Sequence, residues 1–300
     1  MWVREYRTAN TEGDGLSRAI ILLTLALGAI SASSLPNDEP PPGYGYFMKA
    51  CAVMDHSALC PSLQAVRCRF LKTLYFLYTM QPLLASNAIA DASNMAWLMW
   101  RYQAWKSEGD DGFDACLRIF WSCSVLEEEI AIHIRRHTTG IYQDLNLEKH
   151  IPDVANESPS GFFLAETQLR LLMARLLADL FKRQRWTEKP IITNELKLQL
   201  EEFHKILPSS ISFPTSNAEE LFGEQKCYLR MQYHCFSIAA GWPTILTMLE
   251  DSDKESSRKL EHSSQYVLIK EFFAALILLL KTAPEQLWRR GPLTWVICEV

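Results

Sequence analysis

Arg118-Ile119-Phe120-Trp121-Ser122-Cys123-Ser124-Val125-Leu126-Glu127 is the stretch on which the reading of this chain turns. With its flanks it sets Cys116, Phe120, Cys123, Ile130 and Ile134 at three-, four- and seven-residue steps, the spacing of one helix face and not the alternation of a strand. The pattern predicts a helix held into a core by Phe120 and Cys123. Three adjacent carboxylates, Glu127-Glu128-Glu129, point in different directions around such a helix, so they cannot form a facing acid and base pair. They are expected to form a solvated face with one inward member. His133, Arg135, Arg136 and His137 fall in the last turns, where cations suit the negative end of the helix dipole, and Gly140 supplies a stop.

Working outward, apolar residues recur at helical spacing almost everywhere and no long run alternates, so the expected class is all-α, a large bundle-like domain of many helices. Leu16 to Ala32 is a nearly all-round apolar helix, stopped by a Pro- and Gly-rich loop from Pro36 to Gly45. Helices follow over Phe47 to Leu59 and Leu63 to Met80, the second with Phe70, Leu74, Leu77 and Tyr78 on one stripe. Pro82 starts a longer helix to about Trp105, with Ala88, Ala92, Met95, Leu98, Met99 and Tyr102 at three- and four-residue steps. Gly109 to Gly112 is an acidic turn. Ser158-Pro159 reads as a cap and first helical position before Phe162, Ala165, Leu169, Leu172, Leu176 and Leu180.

Thr193 is expected to cap a helix carrying Leu196, Leu200, Phe203 and Leu207, closed by Pro208. Ala218 to about Ala240 is another, which Trp242-Pro243 interrupts or kinks. Gln265 to Thr282 resumes helix, and Pro284 to Trp288 adds one short turn. The partition expected is a poorly structured segment over 1–15, one domain over 16–249, a charged flexible insertion over 250–263 and a helical segment of the same domain over 264–300. Its final residues, with Trp295, Val296 and Ile297, are expected to stop inside a structural element.

Three hundred residues with 48% apolar content suffice for a sizeable core. A formal net charge of −5 gives no basic footprint for neutralising phosphates, so this chain alone is not expected to bind DNA. The eight cysteines sit in apolar helical contexts without the spacing of a disulfide scaffold and are expected to be reduced. Ile20 to Ile30, followed by Ser31-Ala32-Ser33, imitates a secretory signal. The acidic residues Glu5, Glu12 and Asp14 before it argue against that. Neither this run nor Phe272 to Leu280 is long enough to span a bilayer, and no membrane partner is expected.

Candidate chemistry is sparse. His133 and His137 have the four-residue spacing of a metal pair, but Ile134 stands where a zinc protease needs its glutamate, so a basic helix end is the better reading. Cys51, His56, Cys60 and Cys68 lie close in sequence, yet no Cys-x-x-Cys pair occurs, and small core residues are the better reading. Gly43-Tyr44-Gly45-Tyr46 is loop chemistry. Lys182-Arg183-Gln184-Arg185 is a basic helix end that could instead contact an acidic partner or aid nuclear import. Trp97, Trp100, Trp105, Phe120 and Trp121 are expected to pack a core. In the rival reading they line an interhelical pocket of an all-helical enzyme or ligand carrier that also uses His133 and His137. No phosphate loop, nucleophile elbow or dinucleotide fingerprint is present, so no catalytic residue, cofactor site or metal site is assigned.

Arg118 to Cys123 with Leu126-Glu127 resembles the central motif of the fungal-specific transcription factor domain, the middle homology region of zinc-cluster (Zn2Cys6) regulators. Other pieces are similar in the same order. Leu22 to Gly28 resembles the apolar opening helix, Gly45-Tyr46-Phe47 to Ala50 the aromatic entry to the next, and Leu77 to Ala85 the tyrosine, proline and alanine stretch. Thr139-Gly140-Ile141 through Ile151-Pro152 is similar to the loop after the central motif. Phe162 to Glu166, Leu196-x-x-Gln199-Leu200, Leu207-Pro208 and Leu229 to Tyr233 extend the likeness to about residue 249. Two features depart from the family: the absence of the cysteine pairs of its zinc-binding module, and Trp242-Pro243 where Arg-Pro is frequent. The resemblance implies a non-enzymatic, nuclear regulatory domain, while the lack of a strong nuclear-import signal in the sequence keeps the cytoplasm as the other location. Its partners would be proteins of the transcription machinery or a family dimer partner, with a possible small-molecule effector. Zinc is implied only for the module that is missing from this sequence.

Overall fold

The computed structural model describes residues 15–32, 40–57, 61–107, 112–134, 138–139, 161–182, 191–215, 223–251 and 264–289. All regular structure among them is helical, as the sequence predicts. The described helices fall into two compact units, one within Met1–Pro152 and one within Asp153–Arg289.

The first unit contains α1 (Gly15–Ser31), α2 (Tyr44–Ser57), α3 (Leu63–Tyr78), α4 (Pro82–Arg101), a 3-10 turn at Ala104–Ser107 and α5 (Gly112–Ile134). Helix α1 packs on α2 and α3, α3 packs on α4, and α4 packs on α5. Leu16, Ala19, Leu22, Leu23 and Ala26 turn the inner face of α1 onto Phe47, Ala50 and Met54 of α2 and onto Ala65, Cys68 and Tyr75 of α3. Tyr75 fixes the entry to α2. Its ring stacks on Phe47 with centroids 4.2 Å apart, and its hydroxyl donates to the Pro42 carbonyl at 3.2 Å. Burial pushes that phenol up to about 12, with Tyr44 adding to the shift. Gly43 adopts φ +79° where the chain crosses α1, and a Cβ there would stand 2.5 Å from the Ala26 carbonyl oxygen, so only glycine fits.

The stretch Leu77 to Ala85 makes the turn between α3 and α4. Gln81 N–H donates to Phe76 O at 2.9 Å and Met80 N–H to Leu77 O at 3.0 Å, with Met80 left-handed at φ 55°. This is a Schellman closure without glycine, and Pro82 then supplies the first position of α4, whose missing donor costs nothing there.

The second unit contains α6 (Phe162–Lys182), α7 (Ile191–Ile206), α8 (Glu224–Asp251) and α9 (Ser264–Arg289). Helices α8 and α9 pack along each other, α6 packs on α7 and α8, and α7 packs on α8. Gly241 lets α9 approach closely, since a Cβ there would meet Phe272 Cδ2 at 3.0 Å. Ala165, Leu169, Leu172 and Leu176 of α6 and Leu196, Leu200 and Phe203 of α7 are buried as their spacing predicts.

Several expectations need correction. Tyr44 to Tyr46 open a helix and are not loop. On α3 the interior is formed by Cys68, Thr73, Tyr75 and Leu77, while Phe70, Leu74 and Tyr78 are only half-buried, because neighbours press on α3 from more than one side. Tyr102 is 75% exposed, since α4 ends at Arg101 and the chain turns away through Gln103 at φ 53°. Helix α7 already runs from Ile191, so Thr193 lies inside its first turn. Pro243 lies inside α8 and Pro284 inside α9 without ending either helix. The predicted turn at Gly109, the cap at Ser158-Pro159 and the segments 1–14, 252–263 and 290–300 lie outside the described residues.

Candidate functional site

The Arg118 to Glu127 stretch lies within α5 and is almost wholly interior. Phe120, Trp121 and Cys123 are buried, and Phe120 makes ring contacts with Trp121 at 6.0 Å and Trp100 at 6.1 Å. These rings fill the packing between α4 and α5, as the core reading of the aromatics expects for them. Trp97 is half-buried, and the side chain of Trp105 lies outside the described set. Arg118 pairs locally with Asp114 at 2.8 Å on the surface of the same helix.

The glutamates differ from expectation. Glu127 is 6% exposed and Glu129 1%, so two of the three carboxylates go inward. Glu127 has a structural role there: Thr139 donates to it twice at 2.8 Å, from its backbone N–H and its Oγ1. The carboxyl group thus ties the chain at Thr139 back onto the helix, and a buried polar group satisfied in this way positions backbone. Burial, with Glu127 next in size and then Cys116, pushes the Cys123 thiol far up, so it is an inert core thiol and not a nucleophile.

His133 sits near the end of α5 with its side chain outside the described set, and His137 and Cys60 lie outside it altogether, as do Arg183 to Arg185. Cys68 is buried in the α1–α3 packing, where its Sγ donates to Leu16 O at 3.5 Å. None of the six described cysteines forms a disulfide. Among the described residues no group of three or more His, Cys, Asp or Glu side chains is placed to hold a metal ion.

The polar chemistry of the interior concentrates in the second unit. Between α6 and α8, Arg170 Nη2 donates to the Tyr228 hydroxyl at 3.1 Å, and Glu166 shares Tyr228 as a hydrogen-bond partner. Burial pushes the Glu166 carboxyl up to about 7, partly offset by that bond, and pushes the Tyr228 phenol and the Cys235 thiol up as well.

Another face of α8 borders a cavity of about 250 Å³ between α7, α8 and α9. Tyr233, His234 and Ser237 line it from α8, Leu200 from α7, and Leu268, Phe272 and Leu278 from α9. At its rim Lys197 Nζ lies 3.6 Å from Glu271 Oε2, with Glu201 alongside. Beside it the rings of His204, Phe213 and Tyr233 contact one another at 4.9 to 5.7 Å, and His204 Nε2 donates to the Phe213 carbonyl at 2.6 Å. His234 is 2% exposed and its Nε2 meets no hydrogen-bond partner among the described residues. Burial, followed by Arg230 and His204, pulls its imidazole down to about 4, so the ring is neutral at neutral pH.

Sequence reasoning reached Leu200 as part of an apolar helix face and of the resemblance, Phe272 and Leu278 as part of an apolar run, and Tyr233 as part of the resemblance, and it assigned nothing to His234 or Glu201. The sequence around His234 carries no clear signal, since the burial of Arg230, Gln232 and His234 on α8 appears only in the structure.

In sequence the chain is similar to a protein described as "Putative transcription factor ecdB" of Aspergillus rugulosus. The two are 25% identical over 281 aligned positions, taking in 83% of this chain and 48% of that protein. The chain therefore spans about half the length of the relative it matches. No family model and no solved structure matches the chain.

Proposed function

We propose that this chain is a regulatory and interaction domain of a fungal transcription factor, of the middle-homology type found in zinc-cluster regulators, and that it has no enzymatic activity. The observation that carries the reading is the similarity to a transcription factor over 83% of the chain, joined to the ordered motif series around Arg118 to Glu127. An all-helical architecture whose central motif is largely used in packing agrees with it: Phe120, Trp121 and Cys123 are buried in the scaffold. The sequence holds no Cys-x-x-Cys pair and carries a net charge of −5, so DNA contact comes from a zinc-cluster module or partner outside these residues. The chain acts in the nucleus through proteins of the transcription machinery or a dimer partner. A packing shift, biased by partner or effector, would set its output.

Tethering tests this. The chain is fused to an unrelated DNA-binding domain and a reporter with the matching operator is read in fungal cells. Reporter output that departs from the DNA-binding domain alone, in either direction, is expected. Unchanged output together with tight, sequence-specific DNA binding by the unfused chain would overturn the reading.

A further inference from the structure

We propose that the outward faces of α7 and α9 form one docking surface for a second copy of this chain, with the lysines of α9 on one copy meeting the glutamates of α7 on the other. The contact itself follows from the surface; its use in regulation rests on the reading above.

Helix α9 carries two apolar faces, and only one of them is covered. Phe272, Ala275, Leu278 and Leu279 are buried against the rest of the unit. Phe273, Ile277 and Leu280, at steps of four and three residues, make a second stripe on the other side, and each is half-exposed or more. An exposed stripe of three large apolar side chains marks a site of association. Its charges have one sign. Lys270 and Lys281 are exposed beside the stripe, and among the described residues of that face none is acidic. Lys270 Nζ rests 4.5 Å from the centre of the Tyr266 ring, and Glu271, at the edge of the face, lies 3.6 Å from Lys197 of α7.

Helix α7 offers the complement. Leu196, Leu200 and Phe203 face the core, while Leu198 stands exposed on the opposite side. Glu195, Glu201 and Glu202 surround it at three- and four-residue steps, all exposed, with Lys205 the only cation on that side among the described residues. Ile206, also exposed, extends the apolar part toward the helix end. One helix thus presents an apolar face with a positive border, and the other an apolar face whose border is mainly negative. The Lys197–Glu271 pair joins the two helices at their shared edge.

Such a surface is complementary to itself. A second copy turned about a two-fold axis lays its α7 on the first copy's α9 and its α9 on the first copy's α7, so each contact is made twice. Removing Phe273, Ile277, Leu280 and Leu198 from water supplies the affinity. Exposed charge pairs add little strength, but they decide which helix meets which: α9 on α9 would oppose lysines, and α7 on α7 would oppose glutamates.

The test is sedimentation of the full chain, with circular dichroism as the check on folding. The wild-type chain is expected to dimerise. Ile277→Glu changes an exposed side chain and is expected to weaken the dimer at least about tenfold with helix content unchanged. Lys270→Glu with Lys281→Glu, and separately Glu195→Lys with Glu202→Lys, should each weaken self-association roughly tenfold. Mixing these two charge variants is the sharper measurement, because in the mixed dimer both contacts again pair opposite charges. Association is expected to return to within about threefold of wild type. A wild-type chain still monomeric at about 100 μM, its faces covered by another part of the chain or left to a different protein, overturns the proposal. So does a dimer indifferent to Ile277→Glu, and so do folded charge variants that stay monomeric when mixed. A monomer that still changes the tethered reporter overturns the dimer and spares the regulatory reading. A dimer with a reporter indifferent to the chain does the reverse.

Discussion

Helix α5 of the first unit and helix α8 of the second both bury a titratable side chain, Glu127 in one and His234 in the other. Around Glu127 the chain supplies the partner itself: Thr139 donates to the carboxylate twice. His234 lines a cavity, and its buried Nε2 meets no hydrogen-bond partner among the described residues. The same physical cost, desolvation of a polar group, is met inside the chain in the first case and left open in the second. The difference separates a polar group that ties the chain beyond its helix back into place from one with no such tie among the described residues. It also shows why the family-like motif is a poor place to look for function here.

Three measurements break or sharpen this contrast. The largest effect is expected from Phe120→Ala, which empties fully buried space at the centre of the α4–α5 packing and should cost about 3 to 5 kcal/mol in urea unfolding. A loss below about 1 kcal/mol would mean that the motif helix is not the closed core described.

The next concerns pH and the second unit. His234 is held well below its usual value of 6.5, at about 4, so its contribution to stability is present above 6.5 and lost as pH falls toward 4. Glu166 is raised from 4.5 to about 7, so its contribution is present below 4.5 and lost as pH rises through 7. Each amounts to about 3 kcal/mol across its window, and the two slopes oppose each other. Glu166→Gln should therefore leave stability rising with pH between about 4 and 6.5, and His234→Phe should leave it falling between about 4.5 and 7. Unfolding free energies across that range read the slopes directly. Parallel profiles for the two variants would contradict the assignment.

The smallest effect is expected from Thr139→Val, which deletes the hydroxyl donor to Glu127 and keeps the backbone one. A cost of about 1 kcal/mol is expected, with helix content unchanged. No change would mean that Glu127 does not need its partner, and the contrast with His234 would weaken.

Much of the fold was legible because helix formation here follows local spacing. The stripes on α6 and α7 and the starting proline of α4 are set by neighbours three or four residues away or by one backbone donor. Boundaries failed where tertiary packing overrides a local stop: Pro243 and Pro284 sit inside helices that continue through them. The cavity was hardly legible, because its walls come from Leu200, His234 and Phe272, far apart in sequence and individually ordinary for a helical core.

By itself the sequence determined the helical class, the apolar faces and the likeness to a regulator, since each depends on residue type and short-range period. Only the tertiary structure decided that Glu127 and Glu129 turn inward and that His234 Nε2 has no hydrogen-bond partner among the described residues. Whether a buried polar atom is satisfied depends on which distant residue arrives beside it, and no local pattern encodes that arrival.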